Sequence, residues 1–299
     1  MDTDVLDRLN KLSVERHTDA YADIDWDADE FRIDPADPRW ELWGVDPLTG
    51  TEWYRSQPPD VRARLGLWRV ATAMRVGWEF ENILQRGALA YVYRLHNGSP
   101  EFRYLHHEII EESQHTLMFQ EFVNRTGLPV WGMPKAIKRV GELFVVPLNR
   151  WFPELFFLFV VGGEEPVDHL QRLLLREGGN HPLVERIMRI HVTEEARHLS
   201  FARHYLATEV PKLGWPRKQV LGVAAPVLLG VLARLMLEPS RYMLRQNDVP
   251  KAVAREAYHS PAARTLLRDS VSKIRGLCTD MGLMTPISRP LWRLMGNAG

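Results

Sequence analysis

The feature that most restricts this chain is a pentapeptide that occurs twice: Glu111-Glu112-Ser113-Gln114-His115 and, 83 residues later, Glu194-Glu195-Ala196-Arg197-His198. Each copy contains Glu-x-x-His. On an α-helix, residues three apart share a face, so Glu112 with His115, and Glu195 with His198, aim at one point. A lone pair of this kind is common on solvated helices, but two copies are a constraint, and the repeat extends further. Glu81 precedes Glu112 by 31 residues, and Glu164 precedes Glu195 by the same 31. Turn signals, Asn97-Gly98-Ser99-Pro100 and Gly178-Gly179-Asn180-His181-Pro182, fall near the middle of each interval. With a rise of about 1.5 Å per residue, an antiparallel partner helix returns both glutamates of a hairpin to one height. Four glutamates and two histidines would then meet at one level, related by a pseudo-twofold axis.

The flanking pattern agrees with helices throughout. Leu67, Ala71, Met74, Trp78, Glu81, Gln85, Ala88, Val92 and Leu95 recur at steps of three and four, the stripe of one long helix. Further helices are expected over about 101–124, 154–176 and from the second turn to about 209. A long connection to about 153, with a helix inside it, joins the two hairpins. No strand is read. The predicted fold class is all-α, a ferritin-like four-helix bundle with one long crossover, the layout that carries carboxylate-bound metals. Residues 1–60 are read as an N-terminal helix over about 1–20 and an irregular arm rich in Asp, Pro and Trp. Residues 61–299 are read as the helical domain, with its core at about 61–210 and additional helices over 215–299.

Neighbouring acids compete for the same roles, and the helix face separates them. Glu81 lies on the apolar stripe, whereas Glu79 shares its face with Thr72, Arg75 and Asn82. Glu164 aligns with Val160, Gly163 and Val167, whereas Glu165 keeps company with Asp168, His169 and Arg172. Glu79 and Glu165 are therefore expected on solvated faces, and Glu81 and Glu164 in the core, where an unpaired carboxylate is costly. His191 lies one turn before Glu195 and is favoured as a seventh ligand. Its counterpart under the 83-residue shift is Glu108, expected either behind the ligands or at the surface. Carboxylates with imidazoles suit iron, with manganese as the alternative.

At these residues the sequence resembles the p-aminobenzoate N-oxygenase family of non-haem di-iron enzymes. The resemblance rests on Glu112 to Val123, on Glu164 and on His191-x-x-x-Glu195-Ala-Arg-His198, and covers about 60–210 well. It implies two iron ions held by Glu81, Glu112, His115, Glu164, His191, Glu195 and His198. It further implies oxidation of aromatic amines by dioxygen in a homodimer. Because oxygen activation consumes electrons, a reductase or ferredoxin partner is expected. The alternatives are hydroxylation or desaturation at carbon by the same centre, and a ferritin-like iron-binding or ferroxidase role. A radical-generating reductase subunit would place tyrosine where Phe119 stands, and a metal-free scaffold would have no use for the full ligand set.

Composition closes off other classes. Lysine plus arginine and aspartate plus glutamate each number 38, which gives no basic excess for nucleic acid or an anionic membrane. The one cysteine, Cys278, excludes an intrachain disulfide or thiolate cluster and fits a reducing cytoplasm. Segments 144–163 and 220–237 are apolar enough to weigh as membrane spans, which need roughly 20 residues. Arg150, Pro153 and Glu154 interrupt the first, and Pro226 and Arg234 the second, so both are read as buried core helices.

Overall fold

A computed structural model describes residues 3–294. Among these residues the chain is helical throughout, without a strand. Helix α1 (Thr3–Glu15) and a short α2 (Glu52–Arg55) belong to the N-terminal region, together with three 3₁₀ turns. The first hairpin is α3 (Pro59–Val92) with α4 (Pro100–Thr126), and the second is α6 (Pro153–Glu177) with α7 (Pro182–Glu209). The crossover contains α5 (Lys135–Trp151), and α8 (Trp215–Leu237) follows the second hairpin. Five shorter helices close the described chain: α9 (Arg241–Gln246), α10 (Lys251–Tyr258), α11 (Pro261–Ser270), α12 (Ser272–Asp280) and α13 (Arg289–Leu294).

The ends of the hairpin helices are written in the sequence. Proline occupies the first turn of α3, α4, α6 and α7, where its missing N–H costs nothing. The Ser99 hydroxyl accepts from the Phe102 N–H at 3.1 Å, and the His181 ring accepts from the Leu183 N–H at 3.3 Å. Gly127 ends α4 with φ of 62°, the left-handed cap that glycine adopts without strain. Between α5 and α6 the chain breaks at Phe152, just before Pro153, so the apolar segment 144–163 is two helices.

The two hairpins pack against each other with the repeated motifs inward; α1 lies on α4, α5 on α3 and α6, and α8 on α6. Helix α8 is long and apolar enough to cross a membrane, with 56% of its most apolar window buried. The reading of segments 144–163 and 220–237 as buried core is thereby corrected in part. Leu143, Phe144, Val146 and Trp151 on or at the end of α5, and Val220, Val227 and Val231 on α8, face outward.

The irregular arm is locked to the body. Trp40 stacks on His181 with ring centroids 4.0 Å apart, and its backbone presses on α3 at Gly66. A Cβ at Gly66 would lie 1.7 Å from the Trp40 carbonyl oxygen, so only glycine admits the arm there. Asp46 in the arm meets Arg69 of α3 at 3.4 Å, both 4% exposed at the side chain. Arg69 also donates to the Leu237 carbonyl, and Tyr258 donates to Asp46 at 3.0 Å. One buried pair therefore ties the arm to α3, α8 and α10. Breaking such a pair strands the remaining charge, so Asp46→Ala is expected to cost about 3–5 kcal/mol in urea denaturation.

Candidate metal centre

Helices α3, α4, α6 and α7 bring Glu81, Glu112, His115, Glu164, His191, Glu195 and His198 together at one level. All seven are buried, none more than 3% exposed. His115 Nδ1 lies 3.6 Å from Glu112, 3.5 Å from Glu195 and 3.9 Å from Glu81. His198 Nδ1 lies 3.1 Å from both Glu112 and Glu195, which places these two glutamates between the motifs. His191 Nε2 is 3.7 Å from Glu81 and 3.8 Å from Glu195. Among the described residues, Glu81-His115-His191, Glu112-His115-Glu195 and Glu164-His191-Glu195 each offer ligand atoms within 4.8 Å of one another. Three overlapping triads that share His115, His191 and Glu195 have the layout of a two-ion site.

Several polar atoms of the cluster lack partners. Both oxygens of Glu112, one each of Glu164 and Glu195, and Nδ1 of His115 are buried without a hydrogen bond. Such atoms each forfeit solvation with nothing in return. Two divalent cations among them would satisfy all of these atoms at once, so the residues present fit a di-metal group. Burial drives Glu81 and Glu164 well above the usual carboxylate range, and the surrounding glutamates push the same way. Burial also raises Glu195. Burial would raise Glu112 too, but His198 and His115 outweigh it and hold its carboxyl low.

A profile of the family described as P-aminobenzoate N-oxygenase AurF matches residues 2–282. The chain belongs to this family. It is also 42% identical over 294 residues to the "Uncharacterized protein Rv0885" of Mycobacterium tuberculosis (strain ATCC 25618 / H37Rv), covering 97% of this chain and 86% of the relative. The "Uncharacterized protein Mb0909" of Mycobacterium bovis (strain ATCC BAA-935 / AF2122/97) matches with the same identity and coverage. The all-helical bundle is the fold expected of an N-oxygenase of this family.

For this N-oxygenase family member, each imidazole is fixed from outside. His115 Nε2 donates to Glu194 at 2.8 Å and His198 Nε2 donates to Glu111 at 2.8 Å. The first glutamate of each pentapeptide thus orients the histidine of the other pentapeptide, a crossed arrangement that preserves the pseudo-twofold. Arg197 sits 2.9 Å from Glu111 and 3.8 Å from Glu194 and offsets both charges. His191 Nδ1 donates to Gln171 at 2.9 Å, which turns Nε2 toward Glu81 and Glu195. Burial and the neighbouring His115 push His191 well below the ordinary imidazole range, so its inward nitrogen carries a free lone pair. Thr116 donates to Glu81 at 3.1 Å, and Gln85 donates to Thr116 at 3.2 Å.

Glu111, Glu194, Gln171 and Thr116 are positioning residues that the sequence argument passed over. The doubled glutamate of the repeated pentapeptide was the available signal for the first two. Two further readings are corrected. Glu79 is buried, accepts the Met133 N–H at 2.8 Å and pairs with Arg75 and Lys138. Glu165 is buried against Arg203 at 3.0 Å. Both faces are covered by later elements, the crossover for Glu79 and the C-terminal helices for Glu165, so hairpin periodicity alone mistook covered faces for solvent. Glu108 is likewise buried, one turn from Tyr104 on α4.

A cavity of about 70 Å³ adjoins the cluster. Glu81, Glu164, His191 and Gln171 form one wall; Phe80, Phe119 and other apolar side chains form the rest, with Arg69 at its edge.

Glu194→Gln is expected to leave the fold intact while weakening metal binding about 10- to 100-fold, read by competition with a chelator. Glu108, raised by burial to about 8, supplies a pH test. Its folded-state pKa exceeds the unfolded value of 4.5, so folding costs more as pH rises from about 4.5 toward 8. Metal-free Glu108→Gln should match the parent in melting temperature near pH 4.5 and exceed it increasingly toward pH 8.

Proposed function

We propose that this protein is a non-haem di-iron N-oxygenase that oxidises an organic amine, an aromatic amine by family membership, at the expense of dioxygen. Glu81, Glu112, His115, Glu164, His191, Glu195 and His198 hold the two irons in this reading. The observation that carries it is the set of buried, partnerless carboxylate and imidazole atoms facing one point, with three imidazoles each pinned on the outward nitrogen. Family membership supports the oxygen chemistry, and the oxygen-rich donor set with imidazoles supports iron, with manganese as the alternative occupant.

Bound iron supplies the redox capacity that reduces dioxygen; the protein's own groups decide where that capacity is applied. Glu111, Glu194 and Gln171 fix the imidazole planes, so the ligand atoms need no reorganisation when metal enters. Phe80, Phe119, Val167 and Leu170 keep the adjoining cavity apolar and exclude bulk water from the reacting amine. Glu81, Glu164 and His191 form the wall nearest that cavity, which makes this the side from which substrate approaches. Oxygen activation at such a centre consumes electrons, so a cytoplasmic reductase or ferredoxin and a homodimeric assembly complete the proposal.

The deciding experiment is metal analysis of the protein after anaerobic reconstitution with ferrous iron, followed by aerobic assay with arylamines. About two irons per chain and hydroxylamine or nitro products are expected, and Glu112→Ala should lose most of the iron while keeping its helical circular dichroism. No bound iron would overturn the proposal. Products hydroxylated or desaturated only at carbon would keep the centre and reassign the reaction.

A further inference from the structure

A wholly apolar concavity beside the bundle lies among α3, α5, α6 and α8. Its volume is about 540 Å³, and its lining, which includes Ile137, Phe144, Phe159 and Leu228, holds no polar or charged side chain. This falls within the range of roughly 300–1,000 Å³ typical of ligand pockets. Its mouth is edged by Val140, Phe144, Val227 and Val231, all exposed apolar residues.

The groove and the metal-site cavity are separate spaces with one side chain between them. Phe80 alone is common to the linings of both spaces. It precedes Glu81 in the chain, its ring lies 4.8 Å from Phe159, and it rests on α6 at Gly163. A Cβ at Gly163 would come within 2.1 Å of the ring, so the glycine next to Glu164 makes the room that Phe80 occupies. Phe80 and Gly163, which meet here, each adjoin a glutamate of the cluster, Glu81 and Glu164. The groove has nothing with which to recognise a polar group, whereas the small cavity presents carboxylates and His191.

We propose that the groove is a substrate channel for an aliphatic chain, and that Phe80 is the gate between it and the metal-site cavity. The substrate is an amine carried on an elongated apolar tail: the tail fills the groove and the amine passes Phe80 to the wall formed by Glu81, Glu164 and His191. This rests on the N-oxygenase reading for the identity of the head group, whereas the tail site stands on the groove alone.

The test uses the full chain, metal-free, titrated calorimetrically with n-alkylamines from butylamine to dodecylamine below their micellar concentrations. Affinity should rise about fourfold per methylene, with one dodecylamine per chain at saturation. Val231→Glu places a charge at the exposed mouth without disturbing the core, and it should weaken dodecylamine at least tenfold while leaving butylamine unchanged. With cobalt(II) in the metal site, dodecylamine should shift the visible spectrum. Phe80→Trp should abolish that shift yet keep tail binding. Affinity independent of chain length, or insensitive to Val231→Glu, would overturn the channel. So would dodecylamine converting a dimer into monomers, since the groove would then be a surface shared between copies. Failure to bind cobalt would sink the metal reading without touching the metal-free chain-length series, so the two failures are separable.

Discussion

Everything in this protein is arranged around the cost of burying four carboxylates and three imidazoles at one point. A carboxylate withdrawn from water without compensation is among the most expensive things a fold can hold, and here both oxygens of Glu112 and one each of Glu164 and Glu195 have no hydrogen-bond partner. Burial, with the neighbouring glutamates behind it, raises Glu81, Glu164 and Glu195, while the two paired histidines hold Glu112 low. A cluster of carboxylates pushed in opposite directions and short of hydrogen-bond partners is poorly satisfied alone and well satisfied by divalent cations. The bundle supplies the rigidity to sustain that state, because each member sits in the middle of a helix of at least 25 residues.

The ring of outer partners explains why the imidazoles hold still. The crossed pairs Glu194–His115 and Glu111–His198 connect α4 to α7 through the same groups that orient the candidate ligands, with Arg197 balancing the added charge. Gln171 does this for His191 from α6. Structural tie and electronic control are thus one set of hydrogen bonds, so the two hairpins cannot slide without disturbing the centre. Phe80 and Phe119 contribute apolar walls to the cavity beside the cluster.

The N-terminal arm and the C-terminal helices extend the bundle. The Asp46–Arg69 pair joins both to α3, and Arg69 also edges the cavity beside the cluster. Elements far apart in the chain therefore shape the cavity beside the cluster, while the duplicated hairpins supply the carboxylates and imidazoles that face it.

The sequence by itself determined the bundle and the inward convergence. The 83-residue repeat, the equal 31-residue intervals and the turn signals between them leave an antiparallel helical hairpin as the simple solution, and helical periodicity then selects Glu81 over Glu79 and Glu164 over Glu165 for the inner position. Periodicity describes one helix and its nearest partner, however, and carries no information about what covers the opposite face. Only the tertiary structure decided that Glu79 and Glu165 are buried under the crossover and the C-terminal helices, and that Glu108 is interior. The crossed glutamate–histidine pairs, the Gln171 contact and the place of Phe80 between two cavities likewise depend on distances between helices, which a pattern along one chain does not encode.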